Sequence, residues 1–443
     1  MAVASRPQAR RLFLLRWLLV ALLAIAAIWT INRLTAAPEG PAQRIWPDTP
    51  YSTDGLPRSY DVAMARAEIA VANASAAAAS APDQWLMHEI LASEYLAKAQ
   101  LSGSYDDYAA AERALDDAFK VAITGSGPHM VRASLEFTMH RLAGAEQQLD
   151  AIDRYVVPPD RGERAEIAAM RGDIAFYRGQ YSQALAQYDQ ADALVPNAAS
   201  FHRAIHAART GDPDRALAWF DQAEKAYRSP SPQTRAYFAL QRGIVQLDRG
   251  NLNEAMEHFR SADRLFPGRW LFQEHIAEVL TLQGKKTEAE ALYRDIIRRT
   301  GHPEFIDALA GIAAGKGETA TAARLYAQSS AIWARRLKQF PEATYGHAID
   351  HCIAKKDWPC ALQLAQKNHQ ARPFGEAKIA LARALLGSGQ ISQARAMIET
   401  VLASPWRTTD LHRVASEIYT ASGMAAQAQA QGRLAGTTAI GAP

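Results

Sequence analysis

The sequence predicts an all-α protein, built as a solenoid of about ten helix pairs and preceded by a single apolar segment at its N-terminus. Alanine is abundant and hydrophobic residues make up 49% of the chain. Alanine favours helices because its side chain loses no rotamer freedom in them. From about residue 61 the apolar residues follow a helical period, and a pattern of small residues recurs about every 34 residues, as in helical repeat proteins.

The charge and cysteine content exclude several classes of protein. The 443 residues include 49 basic and 46 acidic side chains, for a net charge of +3. A nucleic-acid-binding protein would need a concentrated basic face. The nearly equal numbers of basic and acidic residues argue against such a face. Two cysteines are too few for a disulfide-built domain or for a zinc site made of cysteines.

The N-terminal segment predicts attachment to a membrane or export. Residues 1–11 form a basic flank, and residues 12–34 contain about 20 apolar positions, enough to cross a hydrocarbon core of about 30 Å. Basic residues on the N-terminal side favour a cytoplasmic N-terminus. We therefore expect a single-pass inner-membrane protein with its solenoid facing the periplasm. A cleaved signal sequence, leaving a soluble periplasmic protein, is the alternative.

The rest of the chain divides into four segments. Residues 35–60 are rich in proline, which prevents a helix and favours an extended spacer. We expect a leading helix at 61–82, the solenoid at 83–435 and a disordered tail at 436–443.

Two segments show the repeat most clearly. They are RGDIAFYRGQYSQALAQYDQADALVP at 171–196 and RGIVQLDRGNLNEAMEHFRSADRLFP at 242–267. Each has a glycine near its start, an aromatic residue sixteen positions later and a final proline. Small residues let two helices approach closely, the aromatic side chain fills the gap beside them, and proline ends the second helix.

This pattern resembles the tetratricopeptide repeat (TPR), which implies helix pairs stacked into a right-handed superhelix. An alanine in the second helix of each pair marks ten units: Ala111, Ala145, Ala184, Ala216, Ala255, Ala289, Ala322, Ala361, Ala394 and Ala428. Three of the intervals are about five residues longer than the others, with prolines close by at Pro158, Pro230 and Pro341. Since loops at the surface tolerate insertions, we expect the extra residues at helix junctions.

The resemblance also implies that the first helices of the units line a concave groove where a partner binds. The candidate groove residues are Phe137, Phe176, Tyr177, Phe201, Tyr237, Glu274, Glu278, Asp307 and Asp350. The groove would be aromatic towards one end and acidic towards the other. Its predicted ligand is an extended or helical peptide, or a partner protein, with apolar anchors beside Lys or Arg. Alternatively, the aromatic rings fill the seam between helices and the acids are ordinary surface.

No catalytic, cofactor or metal site is predicted. His202 and His206 lie four residues apart, as do His347 and His351, but neither pair has a third ligand in its motif. We interpret these histidines as solvated or interface residues. No acid, base or nucleophile set can be assembled, so the protein is predicted not to be an enzyme.

The two cysteines have a separate interpretation. Cys352 and Cys360 would lie on facing helices of one unit, where an oxidising compartment would allow a disulfide. The alternative is two buried thiols that pack as small apolar side chains.

A repeat array without an active site predicts a scaffold for other proteins. We expect a non-enzymatic protein–protein interaction scaffold in the cell envelope that binds its partner in the concave groove. The alternatives are an assembly chaperone or maturation factor for an envelope or secreted protein complex, and a regulatory subunit that targets an enzyme.

Overall fold

The computed structural model describes residues 55–227 and 231–436. The expectations for residues 1–34, most of the spacer at 35–60 and the tail lie outside these residues. Within the described residues, every helix is too short or too polar to cross a membrane.

The described residues form 21 α-helices and no named strand. In chain order these are α1 (Tyr60–Ser80), α2 (Trp85–Ser102), α3 (Tyr105–Val121), α4 (His129–Thr138), α5 (Leu142–Ile152), α6 (Arg161–Tyr177), α7 (Tyr181–Leu194), α8 (Ser200–Arg209), α9 (Pro213–Ala226), α10 (Pro232–Asp248), α11 (Leu252–Leu265), α12 (Trp270–Leu282), α13 (Lys286–Thr300), α14 (Pro303–Gly315), α15 (Thr319–Gln339), α16 (Pro341–Ala354), α17 (Trp358–Ala371), α18 (Gly375–Gly387), α19 (Ile391–Leu402), α20 (Thr409–Ala421) and α21 (Ala425–Leu434).

The helices from α2 to α21 form ten hairpins, so the predicted all-α solenoid is confirmed for the described residues. The two helices of each hairpin pack against each other, and successive hairpins stack. Each of the ten marker alanines lies in the second helix of its hairpin and is at most 8% exposed. Small side chains at these points allow the close helix packing that the sequence pattern predicts.

The glycine and aromatic residues of the repeat meet as expected. A methyl group added at Gly172 would lie 2.3 Å from the ring of Tyr188, and one added at Gly243 would lie 2.4 Å from the ring of Phe259. Both rings are fully buried. Each aromatic ring therefore occupies the space that its glycine leaves free on the facing helix.

The turn inside each hairpin contains one residue with positive φ. Eight of the ten hairpins place glycine there, which adopts this conformation without a steric penalty. The exceptions are His140, with φ 61°, and Lys356, with φ 58°. The backbone at His140 and Lys356 is thus in the left-handed region, which is unfavourable for residues other than glycine.

The expected insertion at Pro341 is not in a loop. Helix α15 has 21 residues and ends at Gln339, and α16 begins at Pro341 itself. The extra residues lengthen the helix, and its last turns are held by tertiary contacts. Trp333 is buried there, and the Gln339 side chain donates a hydrogen bond to the carbonyl oxygen of Tyr105 in α3.

Contacts between distant hairpins close parts of the array onto itself. The backbone N–H of Gly375 donates to the hydroxyl oxygen of Tyr181 over 2.9 Å. The N–H of Arg407 donates to the carbonyl oxygen of Arg209 over 2.8 Å. Loops of the C-terminal hairpins thus lie against α6, α7 and α8, and the inner surface there becomes a cavity instead of an open groove.

Candidate ligand-binding cavity

A cavity of about 490 Å³, which we call the central cavity, lies among the hairpins that these contacts bring together. Its lining includes His140, Tyr177, Arg209, Asp350, Arg372 and Trp406. These residues come from four different hairpins and from two of the loops that connect hairpins. The cavity therefore exists only in the wound array and has no counterpart in a single repeat.

One wall of the central cavity is aromatic. The rings of Tyr177 and Phe374 lie 5.0 Å apart between centroids, and Phe374 lies 5.7 Å from Trp406. Trp406 packs so closely on the backbone that a methyl group at Gly375 would lie 2.1 Å from its ring. Burial raises the pKa of the Tyr177 hydroxyl to about 12. This wall is a closely packed surface that can receive an apolar side chain.

Two ion pairs also line the central cavity. Arg209 contacts Asp248 over 2.8 Å, and Arg383 lies 3.8 Å from Asp350. Burial raises the pKa of both carboxyl groups, and the paired arginines oppose that rise. The two carboxylates thus have partners in the protein.

Arg372 differs from these arginines because no described carboxylate lies within ion-pair distance of it, and Glu376 acts on its charge only from further away. Its guanidinium carbon lies 5.8 Å from the ring centre of Tyr177 and 5.4 Å from that of Phe374. One Nη donates to the Asn368 side-chain oxygen over 3.0 Å. No other described carboxylate or carbonyl oxygen accepts a hydrogen bond from this side chain, which is 6% exposed. Burial lowers the pKa of the guanidinium, and the ring faces offer it only cation–π attraction.

The predicted aromatic groove residues have different environments. Tyr177 lines the central cavity, and Phe137 packs against it with 5.7 Å between ring centres. Phe176 was expected to face an open groove, and this is wrong because it is 4% exposed and covered by Trp406. The loop that carries Trp406 is about 230 residues further along the chain, so the repeat pattern gives no sign of this cover.

Phe201 and Tyr237 stack on each other. Their ring centres are 5.9 Å apart with planes inclined by 21°. Phe201 also packs on Phe220 and Phe238, within the core between α8, α9 and α10. Tyr237 is more exposed than Phe201 and presents the polar end of this pair.

The predicted acidic residues are also divided. Asp350 lines the central cavity. Asp307 was expected to face the groove, but its side chain is 14% exposed and accepts hydrogen bonds from Trp333 Nε1 at 2.8 Å and His351 Nδ1 at 2.9 Å. It joins α14, α15 and α16 in the interior, because the lengthened α15 brings Trp333 against it.

Glu274 and Glu278 lie on either side of His275. The two ring nitrogens of His275 are 3.4 Å from Glu274 and 3.0 Å from Glu278. Burial raises the pKa of the Glu274 carboxyl to about 7. Among the described residues these three offer donor atoms within 4.8 Å of one another, a set able to hold a divalent cation. Sequence analysis missed His275, which adjoins Glu274 in an ordinary helical stretch.

The histidine pairs interact with the protein. His202 contacts Asp173 at 2.9 Å, and His206 packs on Phe176. His351 contacts Asp307, whereas His347 lines the central cavity. Although the histidines of each pair are four residues apart on one helix, their two rings contact different groups.

The two cysteines are joined in the structure. Cys352 and Cys360 form a disulfide between α16 and α17, with their Cα atoms 5.9 Å apart. It connects the two helices of the hairpin beside the α16 wall of the central cavity.

Sequence analysis also missed Arg372 and His140. The resemblance places groove residues on the first helices of the units, whereas Arg372 lies in the loop between α17 and α18 and His140 lies in a turn. One signal was available for His140. It stands five residues before Ala145, a position that most other units give to glycine.

The sequence model of the tetratricopeptide repeat family matches residues 169–229 and 240–302. These residues span most of α6 through α13, so this part of the array consists of TPR repeats. No curated protein sequence matches the chain significantly.

Several solved structures resemble the chain at low identity. Yeast Tom70 is 16% identical, with 84% of this chain and 88% of that chain covered and a TM-score of 0.38. A tetratricopeptide repeat protein of Parabacteroides merdae is 15% identical, covering 55% and 93%, with a TM-score of 0.34. A monomeric mutant of IFIT1 with Gppp-AAAA is 13% identical, covering 80% and 90%, with a TM-score of 0.40.

Proposed function

We propose that this chain is a non-enzymatic scaffold of the bacterial cell envelope that binds a partner protein or peptide inside its repeat array. TPR repeats serve in general as protein-interaction units, and the match at 169–229 and 240–302 supports that class of function. The observation that carries the proposal is the central cavity, which is lined by both aromatic rings and charged side chains. Ligand sites commonly combine an apolar surface with a few converging polar groups.

The size of the cavity suggests how the partner binds. A volume of about 490 Å³ holds a few side chains and not a folded domain. We propose that a peptide segment of the partner inserts an apolar side chain against Tyr177, Phe374 and Trp406. Its polar groups would meet the charged residues on the other walls.

Site-specific photocrosslinking in the full chain tests this proposal. A photoreactive phenylalanine replaces Gly346, which lines the cavity and has space around its Cα, and in a matched control it replaces the exposed Gly311. We expect a discrete partner adduct from position 346 and none from position 311. Equal labelling from both positions, or none from 346, would contradict binding in the cavity. An adduct only with newly made partner protein would instead indicate an assembly chaperone.

The envelope location is a proposal from the N-terminal sequence. The basic flank at 1–11 and the apolar residues 12–34 support an anchor with the array on the periplasmic side. Protease added to spheroplasts should then degrade the array and leave a short N-terminal fragment. A protected array would contradict this orientation, and N-terminal sequencing of the mature protein would distinguish an anchor from a cleaved signal.

A further inference from the structure

We infer that the central cavity binds a carboxylate group of its partner, with Arg372 as the main contact and His140 beside it. This inference rests on the proposed function, because it names the chemistry of the partner in the same cavity. Arg372 has one hydrogen-bond acceptor and an unpartnered Nε among the described residues.

A buried guanidinium without an acceptor is costly, because it has lost the water that would solvate it. Arg336 meets that cost by contacting Glu304 over 2.8 Å. Arg269, which does not line the cavity, resembles Arg372: one Nη donates to the backbone carbonyl oxygen of Gln100 over 3.1 Å, and its Nε has no partner among the described residues. Within the described residues Arg372 has only the Asn368 amide oxygen, and its Nε has no partner. Arg372 differs from Arg269 in that its unused hydrogen-bonding capacity adjoins the cavity.

The shape of the guanidinium selects the ligand group. Its planar arrangement of N–H donors matches the two oxygens of a carboxylate, and contact with the rings of Tyr177 and Phe374 restricts its orientation. Less entropy is then lost when the ligand binds. An apolar group next to the carboxylate would meet the same aromatic wall.

His140 supplies a second, independent observation. It holds a positive φ in a turn where eight of the ten hairpins have glycine, so its side chain is kept at a conformational cost. The ring lines the central cavity, 6.0 Å from Tyr177, and its Nδ1 has no partner among the described residues. Burial, together with Arg372, lowers the pKa of His140 to about 3. A neutral imidazole donates one N–H, which suits a carboxylate oxygen beside Arg372.

The acidic residues of the cavity limit the charge of the ligand. Asp248, Asp350 and Asp410 pair with arginines, but Glu376 has no ion pair within the described part of the chain. Glu376 repels any anion, but it repels a phosphate dianion about twice as strongly as a singly charged carboxylate. We therefore assign the site to a carboxylate, from either a peptide C-terminus or an acidic side chain.

The test uses the full chain in lipid nanodiscs and two small probes, N-acetylphenylalanine and its amide, followed by ligand-observed NMR. We expect the acid to bind about tenfold or more tightly than the amide, since a hydrogen-bonded charge pair contributes at least that much. Phenyl phosphate should bind more weakly than the acid. Equal binding of the acid and the amide would overturn the inference, and so would tighter binding of phenyl phosphate.

Three variants assign the site to Arg372. Arg372→Gln should weaken binding of the acid about tenfold or more, whereas Arg269→Gln, at an equally buried arginine outside the cavity, should leave it unchanged. Asn368→Asp is nearly isosteric and places a carboxylate 3.0 Å from Arg372. It should raise the melting temperature and abolish binding of the acid. Undiminished binding in Arg372→Gln or Asn368→Asp, or equal loss in Arg269→Gln, would overturn the inference.

His140→Gly tests the second contact without a risk of misfolding. It removes the strained φ, so it should raise the melting temperature while weakening binding of the acid about threefold or more. Lys356→Gly, at the other strained turn and outside the cavity lining, should raise the melting temperature without changing binding. Unchanged binding in His140→Gly would remove His140 from the site.

Peptide probes then distinguish the two possible sources of the carboxylate, which are a peptide C-terminus and an acidic side chain. Peptides ending in phenylalanine, with a free or an amidated C-terminus, are compared with amidated peptides carrying an internal Asp or Glu. If partner adducts from position 346 persist in Asn368→Asp, partner binding stands and the carboxylate inference fails. If the acid binds through Arg372 but no partner adduct forms, the proposed function fails and the carboxylate site stands.

Discussion

Replacing Gly243 by alanine should destabilise the array, although alanine is the better helix former. The new methyl group would lie 2.4 Å from Cε1 and 2.6 Å from Cδ1 of Phe259, which is fully buried. Favourable carbon–carbon contacts are about 3.5–4.0 Å, so an overlap of more than 1 Å must be relieved. The ring cannot move away easily, because it also stacks on His275 with 4.9 Å between ring centres.

The expected magnitude follows from two opposing effects. Overpacking a core typically costs about 1–3 kcal/mol, and the helix propensity of alanine over glycine returns about 1 kcal/mol. Gly243→Ala should therefore destabilise α10 and α11 by up to about 2 kcal/mol. Gly311→Ala in α14 has no atom within 4 Å of the new methyl group and should stabilise its helix by about 1 kcal/mol.

Hydrogen exchange is the appropriate assay, because repeats of a solenoid open locally and global unfolding need not be two-state. Amides of α10 and α11 should exchange up to about 30-fold faster in Gly243→Ala, and amides of α14 about fivefold more slowly in Gly311→Ala. In a Phe259→Leu background, where the ring is absent, Gly243→Ala should be neutral or stabilising.

The reasoning would be refuted if Gly243→Ala protected α10 as Gly311→Ala protects α14. It would also fail if Gly243→Ala remained as destabilising in the Phe259→Leu background as in the wild-type chain. In either case the close approach of Gly243 and Phe259 would not be what the repeat depends on.

Three further predictions concern buried polar groups and the disulfide. Burial lowers the pKa of His302 to about 4, below its unfolded value of about 6.5, so the unfolded state binds the proton more readily. The array should lose up to about 3 kcal/mol as pH falls from about 6.5 to 4, and melting curves of His302→Gln should lack that part of the pH dependence. Asp307→Ala would leave Trp333 Nε1 without its buried acceptor, so denaturant titration should show a loss of about 2–4 kcal/mol, and Asp307→Asn a smaller one. Reducing Cys352–Cys360 should cost about 2–3 kcal/mol of loop-closure entropy, visible as faster exchange of α16 and α17, and a double Cys→Ser variant should not respond to reductant.

The sequence predicted the features that depend on neighbours within one repeat. Gly243 meets Phe259 inside one hairpin, and Ala255 packs where the two helices of that hairpin approach. Such contacts occur at constant offsets along the chain, so the residues that make them recur with the same period. Ten hairpins could be counted in advance for that reason.

The candidate site was predicted only in part. Tyr177 and Asp350 were expected on the inner surface and do line the central cavity. Phe176 and Asp307 were expected there too, but the loop that carries Trp406 covers one and the long helix α15 covers the other. Arg372 was not predicted, because an arginine in a loop looks the same in sequence whether or not a carboxylate lies near it.

By itself, then, the sequence determined the helices, their pairing and the small and aromatic residues through which paired helices pack. Only the tertiary structure decided which of the predicted groove residues line the central cavity and which are covered. Five hairpins lie between those of Tyr181 and Gly375. The two residues meet because small rotations between successive hairpins add up until distant hairpins come into contact. That accumulated rotation depends on every interface in between, and no residue pattern of one repeat encodes it.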